Sequence, residues 1–222
     1  MFQSDIIGVA AVYIYVAVLI VFTEKIFSKR FPVQSRKFLH IMTGNIAFIL
    51  PLFETREIMA FLAAGPFILF TFLMSPYSPI KSMRGKTSEA GHGLGLVYYA
   101  ITWTVLAYFF FDHRVIIAMG ILAMSYGDGL ASLIGIKYGK QKYIVFNDIK
   151  SYVGSLAMFV CTFLLLVIAL VFYTEPLTVR AGVYLLCMAG VATVIEGVTP
   201  LGLDNLSVPF VTAIMYWFFL GG

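Results

Sequence analysis

Long apolar runs alternate with short polar stretches along the whole chain. The runs cover about 5–23, 39–53, 57–74, 93–111, 115–136, 152–173, 178–196 and 206–220. A helix needs roughly 20 apolar residues to cross a bilayer. The pattern therefore predicts an all-α, polytopic integral membrane protein with seven or eight transmembrane helices. The last run is short enough to be re-entrant. Polar loops fall at about 24–38, 75–92, 137–151 and 197–205. No repeat, linker or low-complexity tract divides the chain, so 1–222 reads as one transmembrane domain.

Composition sharpens this reading. Of 222 residues, 61% are apolar and only 12% charged, with a mean hydropathy of +0.95. A soluble domain carries about twice that charge. A soluble globule, a disordered chain and a disulfide-stapled secreted scaffold are all excluded. Eight spans would use about 160 residues, which leaves no room for a soluble domain. Cys161 and Cys187 lie in apolar runs and read as packing residues. Residues 1–23 are too long for a cleavable signal and lack a positive leader, so none is expected.

Basic residues are retained on the cytoplasmic side of a membrane. Lys25, Lys29, Arg30, Arg36 and Lys37 share the first loop; Lys81, Arg84 and Lys86 share the third; Lys137, Lys140, Lys142 and Lys150 share the fifth. The alternate loops hold only Arg56, Arg114 and Arg180. Odd-numbered loops are thus expected in the cytoplasm and the N-terminus outside. A seven-span arrangement would move only the C-terminus.

Asp128 is the strongest single signal. It sits in Ser125-Tyr126-Gly127-Asp128-Gly129, inside the fifth run. An ionised carboxylate at that depth is costly and usually faces a partner or a cavity. Gly127, Ala131, Gly135 and Gly139 recur every four residues, a small-residue stripe for close helix packing, with Asp128 and Ser132 on the adjoining stripe. Four lysines follow, from Lys137 to Lys150, and an acid able to hold Mg²⁺ followed by lysines suits a nucleoside triphosphate. Arg36, Lys37 and His40 stand at the cytoplasmic end of the second run, with Asn45 one turn deeper. Glu89 and His92 open the fourth run. Glu196 ends the seventh, and Asp204 and Asn205 follow in a Pro/Gly-bounded turn. That turn has two acids and no base, which suggests a cation site. Structural alternatives exist for each: a lysine-paired carboxylate at Asp128, lipid anchoring by the lysines, an interfacial His40, a solvated loop at Glu89 and His92, a helix cap at Asp204. All these groups fall at one depth on one side, which argues for one cytoplasm-facing polar site.

Three stretches together resemble the polyprenol kinases, which include dolichol kinase, phytol kinase and CTP-dependent diacylglycerol kinase. They are Arg36-Lys37-Phe38-Leu39-His40; Gly127-Asp128-Gly129-Leu130-Ala131-Ser132-Leu133-Ile134-Gly135 with Lys150-Ser151 and Gly154-Ser155; and Glu196 with Leu203-Asp204-Asn205-Leu206. CTP:phosphatidate cytidylyltransferases share a related Asp-to-Lys segment. The sequence departs from the family pattern at Val153, where that pattern has an acid; if that acid is a metal ligand in the family, this chain must use Asp128, Glu196 or Asp204 instead.

The resemblance implies transfer of the γ-phosphoryl group of CTP to a membrane isoprenoid alcohol of the phytol, geranylgeraniol or dolichol type. Mg²⁺ would be held by Asp128, Glu196 and Asp204. The nucleotide would contact Arg36, Lys37, Gly127, Gly129, Ser132, Lys137, Lys140, Lys142, Lys150 and Ser151. His40, Asp128 or Asp204 would take the alcohol proton, with Asn45, Glu89, His92 and Asn205 as further site residues. The implied partners are CTP, a lipid alcohol and the bilayer, without nucleic acid; oligomeric state is left open, a dimer included. A prokaryotic plasma membrane is the expected location. The alternatives are a cytidylyltransferase making a CDP-lipid, a small transporter using Asp128 as an intramembrane ion site, and a scaffold without chemistry.

Overall fold

The computed structural model describes residues 2–27, 31–84, 93–146 and 148–221, apart from the side chains of residues 26, 32, 33 and 36. The chain forms two compact units, Met1–Phe111 and Asp112–Gly222. Helix dominates both, as the apolar periodicity predicts. Among the described residues, one two-stranded hairpin departs from the all-α expectation.

The first unit begins with α1 (Gln3–Phe22), which continues as a π-helical turn over Thr23–Phe27. α2 (Pro32–Thr43) follows. The predicted span at 39–53 is not one regular helix. It passes from α2 into short 3₁₀ segments at Gly44–Phe48 and Leu50–Leu52. Gly44 is a weak helix former, and Pro51 lacks the N–H that an α-helix would use there. A π-helical stretch at Ile58–Ala64 leads into α3 (Pro66–Leu73), and α4 (Gly95–Phe109) closes the unit. An apolar cavity of about 100 Å³ lies among these helices, lined by residues such as Val16, Leu50, Met59 and Trp103. Such a wall admits hydrocarbon and stays dry.

Asp5 pins the start of α1. Its carboxylate accepts the N–H groups of Glu54 and Thr55 at 2.9 and 3.1 Å and the Thr55 hydroxyl at 2.7 Å. Asp5 is fully buried. Asp5→Ala leaves two backbone donors without that acceptor, which costs roughly 2–4 kcal/mol. The expected result is a lower melting temperature of detergent-solubilised protein, partly restored in Asp5→Asn. An unchanged melting temperature would show that water replaces the carboxylate at no cost.

The second unit is built around one long helix. It runs from α5 (Arg114–Leu122) through a π-helical turn at Ala123–Asp128 into α6 (Gly129–Tyr138). Apolar residues surround α5 on every side, as expected of a helix wrapped by others. Ile116, Ile117, Met119, Ile121 and Leu122 are fully buried. α7 (Tyr152–Phe172), α8 (Val179–Val198) and α9 (Asp204–Phe219) pack about it. The small-residue stripe does the work its spacing predicts. A methyl on Gly127 would meet Met158 Sδ at 2.7 Å, and one on Gly135 would meet Ser151 Oγ at 2.7 Å. α6 and α7 therefore approach almost backbone to backbone.

Among the described residues, four helices are long and apolar enough to cross a membrane: Gln3–Lys25, Arg114–Tyr138, Tyr152–Phe172 and Val179–Val198. Ile58–Leu73 and Gly95–Phe109 are apolar but shorter. Between Arg114–Tyr138 and Tyr152–Phe172 the polar loop folds as an antiparallel hairpin, β1 (Lys142–Val145) with β2 (Asp148–Ser151). The β-branched and aromatic run Tyr143-Ile144-Val145, followed in the sequence by the turn-forming residue types Asn147-Asp148, is the signal that would have found it.

Candidate metal and phosphate site

The π-helical turn positions Asp128. A π turn holds one residue more than an α turn, so it rotates the following side chain relative to a regular helix. The Ser125 hydroxyl bonds Ile121 O at 2.6 Å, and Thr162 of α7 reaches Ala123 O at 3.5 Å, occupying carbonyls that the wide turn frees. Asp128 ends the turn and is 6% exposed.

Glu196 enters from the last turn of α8 and is 8% exposed. Asp204 enters as the first residue of α9. The link between them turns sharply at Leu201 and Gly202, both left-handed, with φ of 60° and 79°. Glycine takes that conformation freely and leucine only at a cost, so surrounding structure must hold it. Asp204 Oδ1 then accepts both the N–H and the side-chain amide of Asn205, at 2.9 and 3.0 Å. The Asn205 amide also donates to Gly202 O at 2.9 Å. Asn205 thus orients Asp204.

One carboxylate oxygen from each of Asp128, Glu196 and Asp204 lies within 4.8 Å of the other two. Residues 128, 196 and 204 come from three helices, and only folding brings them together. Three carboxylates this close repel one another strongly in a buried setting. Lys150 of β2 offsets part of that charge. Its Nζ lies 2.7 Å from Glu196 Oε1 and also donates to the Glu196 main-chain carbonyl. A divalent cation would offset the remainder. The donors are all hard oxygens, the set that Mg²⁺ takes.

The lysine cluster divides. Lys150 turns to the acids, while Lys137, Lys140 and Lys142 are exposed. Ser151 is buried, and its hydroxyl oxygen accepts the Gly154 N–H at 3.1 Å, capping α7. Gly127 packs on Thr162 and Met158. Gly129 is buried and Ser132 half-buried on the same helix. Tyr143, not singled out by the sequence, reaches Ser155 Oγ at 2.7 Å and lies against Gly197. The backbone N–H of Leu201 donates to Asp148 Oδ2 at 3.2 Å.

Arg36, Lys37, His40 and Asn45 belong to the first unit. His40 is buried with its ring 4.8 Å from that of Tyr99. Asn45 donates to the Tyr15 hydroxyl at 3.0 Å, and Tyr15 donates to Met42 O at 2.7 Å, which ties α1 to α2. Lys37 is half-buried on α2, and the Arg36 side chain lies outside the described residues, as do Glu89 and His92.

Fold and site together define a class: a protein of apolar, membrane-length helices with a buried, oxygen-only acidic site backed by a lysine. A phytol kinase from Synechocystis sp. is 32% identical over 216 residues, spanning 95% of this chain and 90% of its own. A probable chloroplastic phytol kinase of Triticum aestivum is 32% identical over 204 residues, covering 84% of this chain and 67% of its own. The chloroplastic phytol kinase 1 of Arabidopsis thaliana is 32% identical over 207 residues, with 84% and 66% covered. No family model and no solved structure matches. The chain belongs to the phytol kinase family, and so to the kinases that phosphorylate an alcohol. The chloroplast in the plant names gives no support to the expected prokaryotic plasma membrane.

Proposed function

We propose that this protein transfers the γ-phosphoryl group of CTP to the hydroxyl of a membrane isoprenoid alcohol of the phytol class. The alcohol oxygen forms a bond to the γ-phosphorus as the bridging bond to the β-phosphate breaks. CDP leaves, and the alcohol proton passes to a carboxylate of the site. The convergence of Asp128, Glu196 and Asp204 carries this reading. Phosphoryl transfer needs little covalent chemistry from a protein; it needs positioning and charge neutralisation. We assign those three acids to Mg²⁺, which when bound would neutralise charge on the phosphates. Asn205 holds Asp204 in place. Lys150, placed against Glu196, would shift towards the nucleotide phosphates as a cation takes its place among the acids. Lys137, Lys140 and Lys142, all exposed, would reach the outer phosphates as flexible point charges, Lys137 leaving its place over the Tyr138 ring. The relatives' names support an isoprenoid alcohol as acceptor, and the basic loops support an active face on the cytoplasmic side, with seven or eight crossings and the N-terminus opposite.

The test uses purified protein in detergent with Mg²⁺, CTP labelled at the γ- or the α-position, and phytol, geranylgeraniol, dolichol or diacylglycerol. The expected result is γ-label in phytol or geranylgeraniol with release of CDP. Label entering lipid only from the α-position would make the enzyme a cytidylyltransferase. Equal use of ATP would remove CTP from the reading, and no labelled lipid at all would reject the kinase.

A further inference from the structure

We propose that the outer face of the 142–151 hairpin is a contact for an anionic lipid surface, seating Ile144, Phe146 and Ile149 among the headgroups and upper acyl carbons. The two faces of the hairpin differ sharply. Successive strand residues point to opposite sides. Tyr143 and Lys150 are paired in register and tied to the unit, Tyr143 to Ser155 and Lys150 to Glu196. Asp148, on the same face, receives the Leu201 N–H. The other face carries Ile144 directly opposite Ile149. These two are 71% and 68% exposed, and Phe146 at the turn is 76% exposed.

Three large apolar side chains cannot be left in water without penalty when the inner face of the same hairpin is held by specific bonds. Their place in the chain identifies the occupant. The hairpin joins Arg114–Tyr138 to Tyr152–Phe172, two helices long and apolar enough to cross a membrane. A link this short keeps the hairpin at the membrane boundary. Tyr138 and Tyr152, exposed at the two helix ends, are the residue type that settles at headgroup depth. Lys137, Lys140 and Lys142, all exposed, lie just ahead of the apolar trio in the chain. Lysines next to a membrane are drawn to anionic lipid, and their long stems let the charge stay at headgroup level. Apolar anchor and basic flank together match an anionic lipid surface better than a second copy of this basic chain.

The contact has a consequence for the site. The strand that places Ile149 on the outer face places Lys150 against Glu196 on the inner one. Seating the hairpin in lipid therefore fixes the strand from which Lys150 reaches the acids and, in the proposed reaction, the phosphates.

The test introduces single cysteines at 144, 146 and 149 in a Cys161→Ala/Cys187→Ala chain. Each is nitroxide-labelled and reconstituted in phosphatidylcholine vesicles with or without phosphatidylglycerol. The expected result is a label several-fold more accessible to oxygen than to a water-soluble nickel chelate at all three positions. That bias should shrink without phosphatidylglycerol and in Lys137→Gln/Lys140→Gln/Lys142→Gln. Water-like nickel accessibility would overturn the proposal. Shielding from both reagents, with crosslinking between copies, would overturn it in favour of a protein interface. The unmodified chain gives an independent reading with a diazirine-bearing phospholipid. Adducts on the 142–151 peptide support the contact; adducts on 152–172 without any on 142–151 refute it.

Discussion

Asp128→Asn is expected to lower the turnover of alcohol phosphorylation by roughly 10³-fold, the scale on which removing a group that neutralises transition-state charge acts. The substitution keeps the size and shape of the side chain and removes only its charge. Asp128 is buried at the end of a π-helical turn, with carboxylates of Glu196 and Asp204 close by. Removing one of three crowded negative charges relieves repulsion, so the melting temperature without Mg²⁺ should hold or rise. Stabilisation by added Mg²⁺ should fall, because binding to the folded state is what raises it. Rate and metal-dependent melting are thus expected to move together while the fold persists. Turnover within a few-fold of the parent would remove Asp128 from the chemistry and return it to a structural ion pair.

Lys150→Gln is expected to produce two effects of opposite sign. Lys150 is the cation seated at Glu196, bonded to both its carboxylate and its carbonyl. Without it, Mg²⁺ meets less competition, so the free Mg²⁺ giving half-maximal rate should fall several-fold. The nucleotide loses a phosphate contact, so its KM should rise about tenfold, the effect of losing one charge-assisted hydrogen bond. Lys150→Arg should restore much of the KM. A Mg²⁺ requirement that rises in Lys150→Gln would show that the lysine organises the acids for the metal and does not compete with it.

Much of this architecture was legible because charge is scarce in an apolar chain. Asp128, Glu196 and Asp204 stand out as acids among the basic stretches of an apolar chain, where each needs a reason to be there. The four-residue stripe of small residues read correctly as a packing seam, since only a missing side chain allows α6 to approach α7 so closely. The run at 115–136 marked the central helix of the second unit to within two residues of its ends.

Other features had weaker signals. Lys137, Lys140, Lys142 and Lys150 read as one phosphate-gripping cluster, yet β-strand alternation sends Lys150 inward and Lys142 outward, a division that a loop would not impose. The run at 39–53 read as a span, but Gly44 and Pro51 favour short 3₁₀ turns over continuous α-helix. Asp5 lay at the edge of the first run with no partner nearby in sequence; its donors come from residues 54 and 55.

The sequence by itself determined the apolar, membrane-length character of the helices and singled out the three acids as candidates. Each of these follows from local composition and from the cost of placing charge in an apolar chain. Only the tertiary structure decided that those acids meet within 4.8 Å and that Lys150 is the lysine that joins them. It also decided that the loop between two long helices is a hairpin with Tyr143, Asp148 and Lys150 on its inner face and exposed Ile144 and Ile149 on its outer one. Convergence depends on how three helices pack and where a π turn aims one side chain. That is a property of contacts between distant parts of the chain, which no local pattern encodes.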